Sequence, residues 1–158
     1  MSGIRPGARS VLKWFAGLYV VLIVVQVFLA GEGIFGLNNI EHSDDCDKSG
    51  AQCIANSKTL DPHRALGFFL TVPGALLFLI VALLAWHSDR KVRYISILVP
   101  LLTFAQDPLA WGGRWTGGLH PVNAILVLAL FGWLSARLWR GRSAVEPSEP
   151  PAPTPVVS

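Results

Sequence analysis

The sequence predicts an all-α fold, an integral membrane four-helix bundle with both termini in the cytoplasm. Three observations carry that expectation. Just over half of the 158 residues, 52%, are apolar, and they fall into four blocks. The basic residues flank those blocks unevenly. Little chain remains for anything else, so a single transmembrane domain is expected over 1–142, followed by a short tail.

Each block approaches or exceeds the roughly 17 to 20 residues that cross a hydrocarbon core about 30 Å thick. The first helix is expected at about 14–30 and the second at about 65–86, neither with a charged residue. The third, at about 94–111, carries Asp107 near its end, and the fourth spans about 119–136. Arg5, Arg9 and Lys13 ahead of the first block resemble the start of a signal peptide. The apolar run is long for one and Leu29-Ala30-Gly31 is a weak cleavage site, so the block reads as a retained helix.

Orientation follows from the cations. Arg5, Arg9, Lys13, Arg90, Lys91, Arg93, Arg137, Arg140 and Arg142 flank one side, and only Lys48, Lys58, Arg64 and Arg114 the other. Nine against four places the termini in the cytoplasm of a plasma-membrane protein. The net charge of +3 is spent on membrane flanks and forms no separate patch, which argues against nucleic-acid binding. Almost no polar residue lies mid-block, so a transporter or channel has no evident path.

The outer loop is expected at 31–62, loosened at its start by Gly31, Gly33 and Gly36. Its Cys46 and Cys53 face an oxidising side, where they can form a structural staple or a redox-active pair. A zinc site with His42 would need two more ligands that no spacing supplies. Asp61 is placed to cap the second helix, with Pro62 in its first turn. Pro73 and Pro100 read as tolerated kinks. The segment 143–158 is Pro-rich and is expected to be a disordered cytoplasmic tail. No short repeat is present; the two helix pairs share little beyond a histidine opening each second member.

Those histidines carry the chemistry. His63 and His120 open the second and fourth helices, which run in the same direction, so both fall at one depth near the outer face. Ionisable groups at membrane depth are costly and are functional candidates by default. Two imidazoles from facing helices suit a six-coordinate haem iron. Gly67, Thr71 and Gly74 lie below His63, and Asn123, Ala124 and Val127 below His120, so small residues leave a gap between the helices. Arg64 and Arg114 are placed to pair with haem propionates. Gln106 and Asp107 are in reach to orient a ligand ring or to cap the third helix. Gln26 reads as an interhelical hydrogen bond. Trp111 and Trp115 suit an outer aromatic belt. His87, beside Ser88, Asp89 and Arg90, reads as an interfacial residue, and His42 as a solvated loop residue.

The order Cys-x6-Cys, His-Arg-x-x-Gly, a Gln late in the third helix, then Leu-His-x-x-Asn-Ala-Ile-Leu resembles one four-helix half of the haem A synthase family. It also resembles an uncharacterised family of small four-helix membrane proteins with His-Arg-Ala-Leu-Gly and Leu-His-Pro-Val-Asn-Ala stretches. The resemblance implies haem ligation by His63 and His120 and a disulfide between Cys46 and Cys53. The synthases have two such halves and a glutamate shortly before the first-loop histidine; here the stretch reads Ser57-Lys58-Thr59-Leu60-Asp61-Pro62. The expectation is therefore binding of haem b, with no catalytic residue assigned, for electron transfer, haem handling or redox sensing. Two axial imidazoles leave the iron no open position for oxygen chemistry. The partners so implied are the lipid bilayer and a membrane redox partner or a second copy. The competing expectation is a cofactor-free scaffold or accessory subunit.

Overall fold

The structure, a computed structural model, describes residues 4–41 and 58–141. Cys46, Cys53, His42 and the tail 143–158 lie outside the described residues, and so do the disulfide, the solvated loop histidine and the disordered tail expected there. Everything described in regular structure is helical: α1 (Ile4–Glu41), α2 (Asp61–Ala85), α3 (Arg90–Phe104), α4 (Gln106–Trp111) and α5 (Arg114–Arg140). Three helices, α1, α2 and α5, are long and apolar enough to cross a membrane.

α1 is longer than its apolar block. At 1.5 Å per residue it reaches about 57 Å, well past a hydrocarbon core. The loop expected from residue 31 does not start there; the helix continues to Glu41. Two of the glycines that read as loop signals instead permit close packing. A Cβ on Gly33 would lie 2.5 Å from Leu60 Cδ2, and one on Gly36 2.9 Å from Thr59 Cγ2. Residues 59 and 60 thus cross α1 at its two bare positions, directly before α2 begins. Asp61 is the first helical residue of α2, with Leu60 rather than Asp61 at the cap position and Pro62 in the first turn.

Pro73 does more than kink α2. It has no N–H for the Phe69 carbonyl, and the helix widens into a π turn over Leu70–Gly74. The Tyr19 hydroxyl donates to the Leu70 carbonyl at 3.0 Å, supporting the widened turn from α1. A Cβ on Gly74 would come within 2.5 Å of that hydroxyl, so the approach requires glycine. Tyr19→Phe keeps the ring and removes only this bond. We expect it to lower stability by about 1 kcal/mol in a denaturing-detergent titration.

α2 ends at Trp86, whose φ of 30° turns the chain left-handed. Asp89 then caps α3, accepting from Lys91 N at 2.9 Å and Val92 N at 3.5 Å. The third helix is not the single span 94–111. It breaks at Ala105, because Pro108 cannot donate to the Phe104 carbonyl. α3 alone, about 22 Å long, falls short of the hydrocarbon core.

α5 also departs from expectation, starting six residues before His120 rather than at it. Gly113 turns at φ 100°, Gly117 N bonds to its carbonyl at 2.7 Å, and the Thr116 hydroxyl donates to it at 3.2 Å. That closes the first turn ahead of the glycine pair, so Pro121 lies inside the helix.

The packing order sets which helices are neighbours. α1 lies against α2 and α5, and α3 lies against the same two, which leaves α2 and α5 on the diagonal. An aromatic layer joins them through α1. Tyr19 stacks on Phe131 with ring centroids 4.5 Å apart, and Phe78 meets both rings edge-on at 5.5 and 5.0 Å. Ser96, Val99, Pro100 and Thr103 close the core from α3. Many Val, Leu, Ile and Phe side chains remain exposed on the outside, among them Val21, Val24, Leu76, Leu83 and Ile125, as on a surface that faces lipid.

Candidate functional site

His63 sits in the first turn of α2 and is half-buried against α1. Its Nδ1 lies 3.1 Å from the Gln26 backbone carbonyl. A carbonyl oxygen can only accept, so Nδ1 carries the proton in this contact. Gln26 answers with its side chain, Nε2 donating to the His63 carbonyl at 2.7 Å. The two residues clasp each other across α1 and α2. The clasp leaves Gln26 Oε1 buried without a hydrogen-bond partner among the described residues.

His120, half-buried in α5, repeats the arrangement on the other helix pair. Its Nδ1 lies 3.1 Å from the Gln106 carbonyl. With the Gln106 amide turned so that its nitrogen meets acceptors, that nitrogen lies 3.1 Å from the His120 carbonyl and 3.0 Å from His120 Nδ1, so the ring's tautomer follows from which Gln106 group Nδ1 bonds. The amide oxygen then accepts from Ala124 N at 3.0 Å. Each histidine is therefore tied through Nδ1 to the backbone of a glutamine on a neighbouring helix, and that glutamine's side chain is tied to the histidine's own backbone. In both rings Nε2 has no hydrogen-bond partner among the described residues.

The heights of the two are comparable. His63 stands seven residues, about 10 Å, above Leu70, and His120 eleven residues, about 16 Å, above Phe131. Leu70 and Phe131 are both held by Tyr19. Both histidines thus occupy the end of the molecule opposite the start of α1 and the end of α5, within roughly a helical turn of each other, on diagonally related helices.

The neighbouring expectations divide. Gln106 does hold His120. Asn123 is engaged in packing, donating to the Leu102 carbonyl at 2.8 Å in the last turn of α3, where carbonyls lack helical partners. Asp107 does not reach a histidine; it accepts from the Thr71 hydroxyl at 2.7 Å, linking α4 to the π turn of α2. Arg64 pairs with Asp61 at 3.5 Å, both side chains more than half exposed, so the pair holds little energy and can exchange for another carboxylate. Arg114 opens α5, and its side chain lies outside the described residues.

Gly67 lies against α1. In the sequence it suggests a gap for a cofactor, but a Cβ there would lie 2.8 Å from Gln26 Nε2. The space belongs to the Gln26 amide, and the space at Gly74 belongs to the Tyr19 hydroxyl. Both glycines admit side chains from α1. Among the described residues no group of three or more His, Cys, Asp or Glu side chains gathers to hold a metal ion. A haem iron would need only the two imidazoles. Gln26 makes the interhelical hydrogen bond expected of it, and its partner is what the sequence does not name. It is the only side chain in the first apolar block with an amide, but nothing in the sequence says that α1 lies beside His63.

His87 belongs elsewhere, at the end where α1 begins and α5 finishes. Its Nδ1 accepts from Asp89 N at 3.1 Å. Burial and then the nearby Arg9 charge hold its pKa below the usual imidazole value.

Comparison of the chain with protein-family models, with curated proteins and with solved structures finds no match in any of the three.

Proposed function

We propose that this chain is a four-helix bundle of the plasma membrane, both termini cytoplasmic, that binds one b-type haem between α2 and α5 near the outer face. Its role would be electron transfer, haem handling or redox sensing. The observation that carries this reading is the pair of clasped histidines. A ligand histidine ordinarily donates its other ring N–H to a backbone carbonyl or carboxylate, which fixes the tautomer and aims the lone pair. His63 does so, His120 Nδ1 has the Gln106 carbonyl within the same reach, and both rings keep Nε2 without a hydrogen-bond partner among the described residues. Haem, when bound, supplies a one-electron redox couple. The chain's own residues would hold and orient: the imidazoles as axial ligands, Gln26 and Gln106 as their anchors, and Arg64 and Arg114 as partners for the propionates. The Cys46–Cys53 disulfide implied by the resemblance belongs to the same proposal, as does a membrane redox partner or a second copy.

A second reading has its own observation. The filled spaces at Gly67 and Gly74 are what close helix packing requires, and a cofactor-free scaffold would show them too. One experiment separates the two. The detergent-purified chain, made in haem-replete cells, is compared reduced with dithionite and oxidised in air, with a pyridine haemochrome assay for stoichiometry. Sharp α and Soret bands at about one haem per chain are expected. A colourless, fully helical protein overturns the haem reading and leaves the scaffold.

A further inference from the structure

At the end opposite the histidines, the first turns of α1, the α2–α3 turn and the last turns of α5 enclose a cavity of about 510 Å³. Arg9, Lys13, Arg137 and Arg140 line it, with His87 and, alone among the described carboxylates, Asp89. Among the described residues Arg9, Arg137 and Arg140 thus face one anion, and that anion is already engaged. Asp89 accepts from two backbone N–H groups of α3 and from Arg137 at 3.3 Å. Arg9 donates to the Ala85 and Trp86 carbonyls at 3.3 and 3.5 Å, which fixes its position without neutralising it. Lys13 is 7% exposed, its ammonium 3.5 Å over the Trp139 ring. Arg140 makes no ion pair among the described residues.

The setting has a depth as well as a charge. Trp14, Trp86 and Tyr94 ring this end and are largely exposed, and Trp139 packs against Trp14 with centroids 4.8 Å apart. Tryptophan and tyrosine collect at headgroup level at the edge of a bilayer. The cavity therefore opens where lipid phosphates lie, and it is larger than a bare phosphate needs. Guanidinium groups match phosphate oxygens in pairs.

We infer that this cavity binds the phosphate of an anionic lipid headgroup. Arg140 and Arg137 grip it at the mouth, and Arg9 presents charge from the wall. Free phosphate shares the chemistry, so the test separates the two sources.

The full chain is placed in nanodiscs of phosphatidylcholine with a minor share of phosphatidylglycerol, and lipids retained on release are counted by native mass spectrometry. Retention of phosphatidylglycerol above its share is expected. Arg140→Gln should lower that preference about fivefold and Arg137→Gln with Arg140→Gln more than tenfold. Arg90→Gln, at the exposed start of α3 and outside the cavity, should leave it unchanged. Arg140→Gln breaks no ion pair among the described residues, so its result stands even where the double variant folds poorly. No preference in the parent chain, or an equal loss in Arg90→Gln and Arg140→Gln, overturns the site in favour of diffuse surface charge. Stabilisation by inorganic phosphate in pure phosphatidylcholine discs, with no lipid preference, overturns the lipid source and leaves a soluble-phosphate site.

Discussion

His63→Ala and His120→Ala are each expected, on the haem proposal, to abolish the haem absorption of the purified chain, while the protein remains inserted and helical. With one of the two proposed ligand imidazoles removed, the remaining one would hold haem weakly and release it readily. The anchors should behave differently from the ligands. Gln26→Leu keeps the imidazole but removes the amide that holds the His63 carbonyl at 2.7 Å. Groups of this kind typically alter affinity about 10- to 100-fold. Haem retention should therefore weaken in Gln26→Leu without vanishing. The contrast is the test: a role in packing alone would make both histidine variants and Gln26→Leu lose stability together, with no spectrum to change in any of them. Spectra that survive both alanine substitutions would remove His63 and His120 from the coordination of the iron.

The fold is legible in the sequence wherever its signals are local. Charge-free apolar runs locate α1, α2 and α5, because a membrane span needs nothing beyond length and hydropathy. The two histidines stand out because each opens an apolar run, where imidazoles are rare. The ends of the helices are less readable. Gly33 and Gly36 look like loop residues in one dimension, and they are helical because Thr59 and Leu60 pack over them. Pro108 breaks the third helix, yet Pro100 and Pro121 lie inside helices. Proline reports a missing donor, and its surroundings decide whether the chain bends or stops.

The site shows the same division. Gln106 is fourteen residues from His120, on the preceding helical segment, and the connection is readable. Gln26 lies thirty-seven residues from His63, across a stretch with no periodic signal, and only the packing of α1 on α2 joins them. Gly67 and Gly74 mislead for a related reason. A missing side chain announces that something comes close, but not whether the visitor is a cofactor or a neighbour's amide. The recurrence of the histidine–glutamine clasp in both helix pairs has no counterpart in their local sequences beyond the histidine itself.

The largest effect on stability is expected from Phe131→Ala. Phe131 has no exposed surface; it stacks on Tyr19 and meets Phe78 edge-on. In water, emptying such a site costs about 3 to 5 kcal/mol, part of it the transfer of apolar surface and part the cavity left behind. Between membrane helices the transfer part shrinks, since lipid tails are as apolar as the side chain, and packing is what remains. About 2 to 3 kcal/mol is therefore expected, measured as a shift in denaturing-detergent unfolding. Leu126→Ala, on the exposed side of the same helix at 46% exposure, should change stability by less than about 0.5 kcal/mol. The aromatic layer is the point at which α1 holds both diagonal helices at once, so loosening it should also loosen the spacing of the two histidine-bearing ends. Equal effects in the two variants would mean that the layer does not hold α2 and α5 together in the membrane.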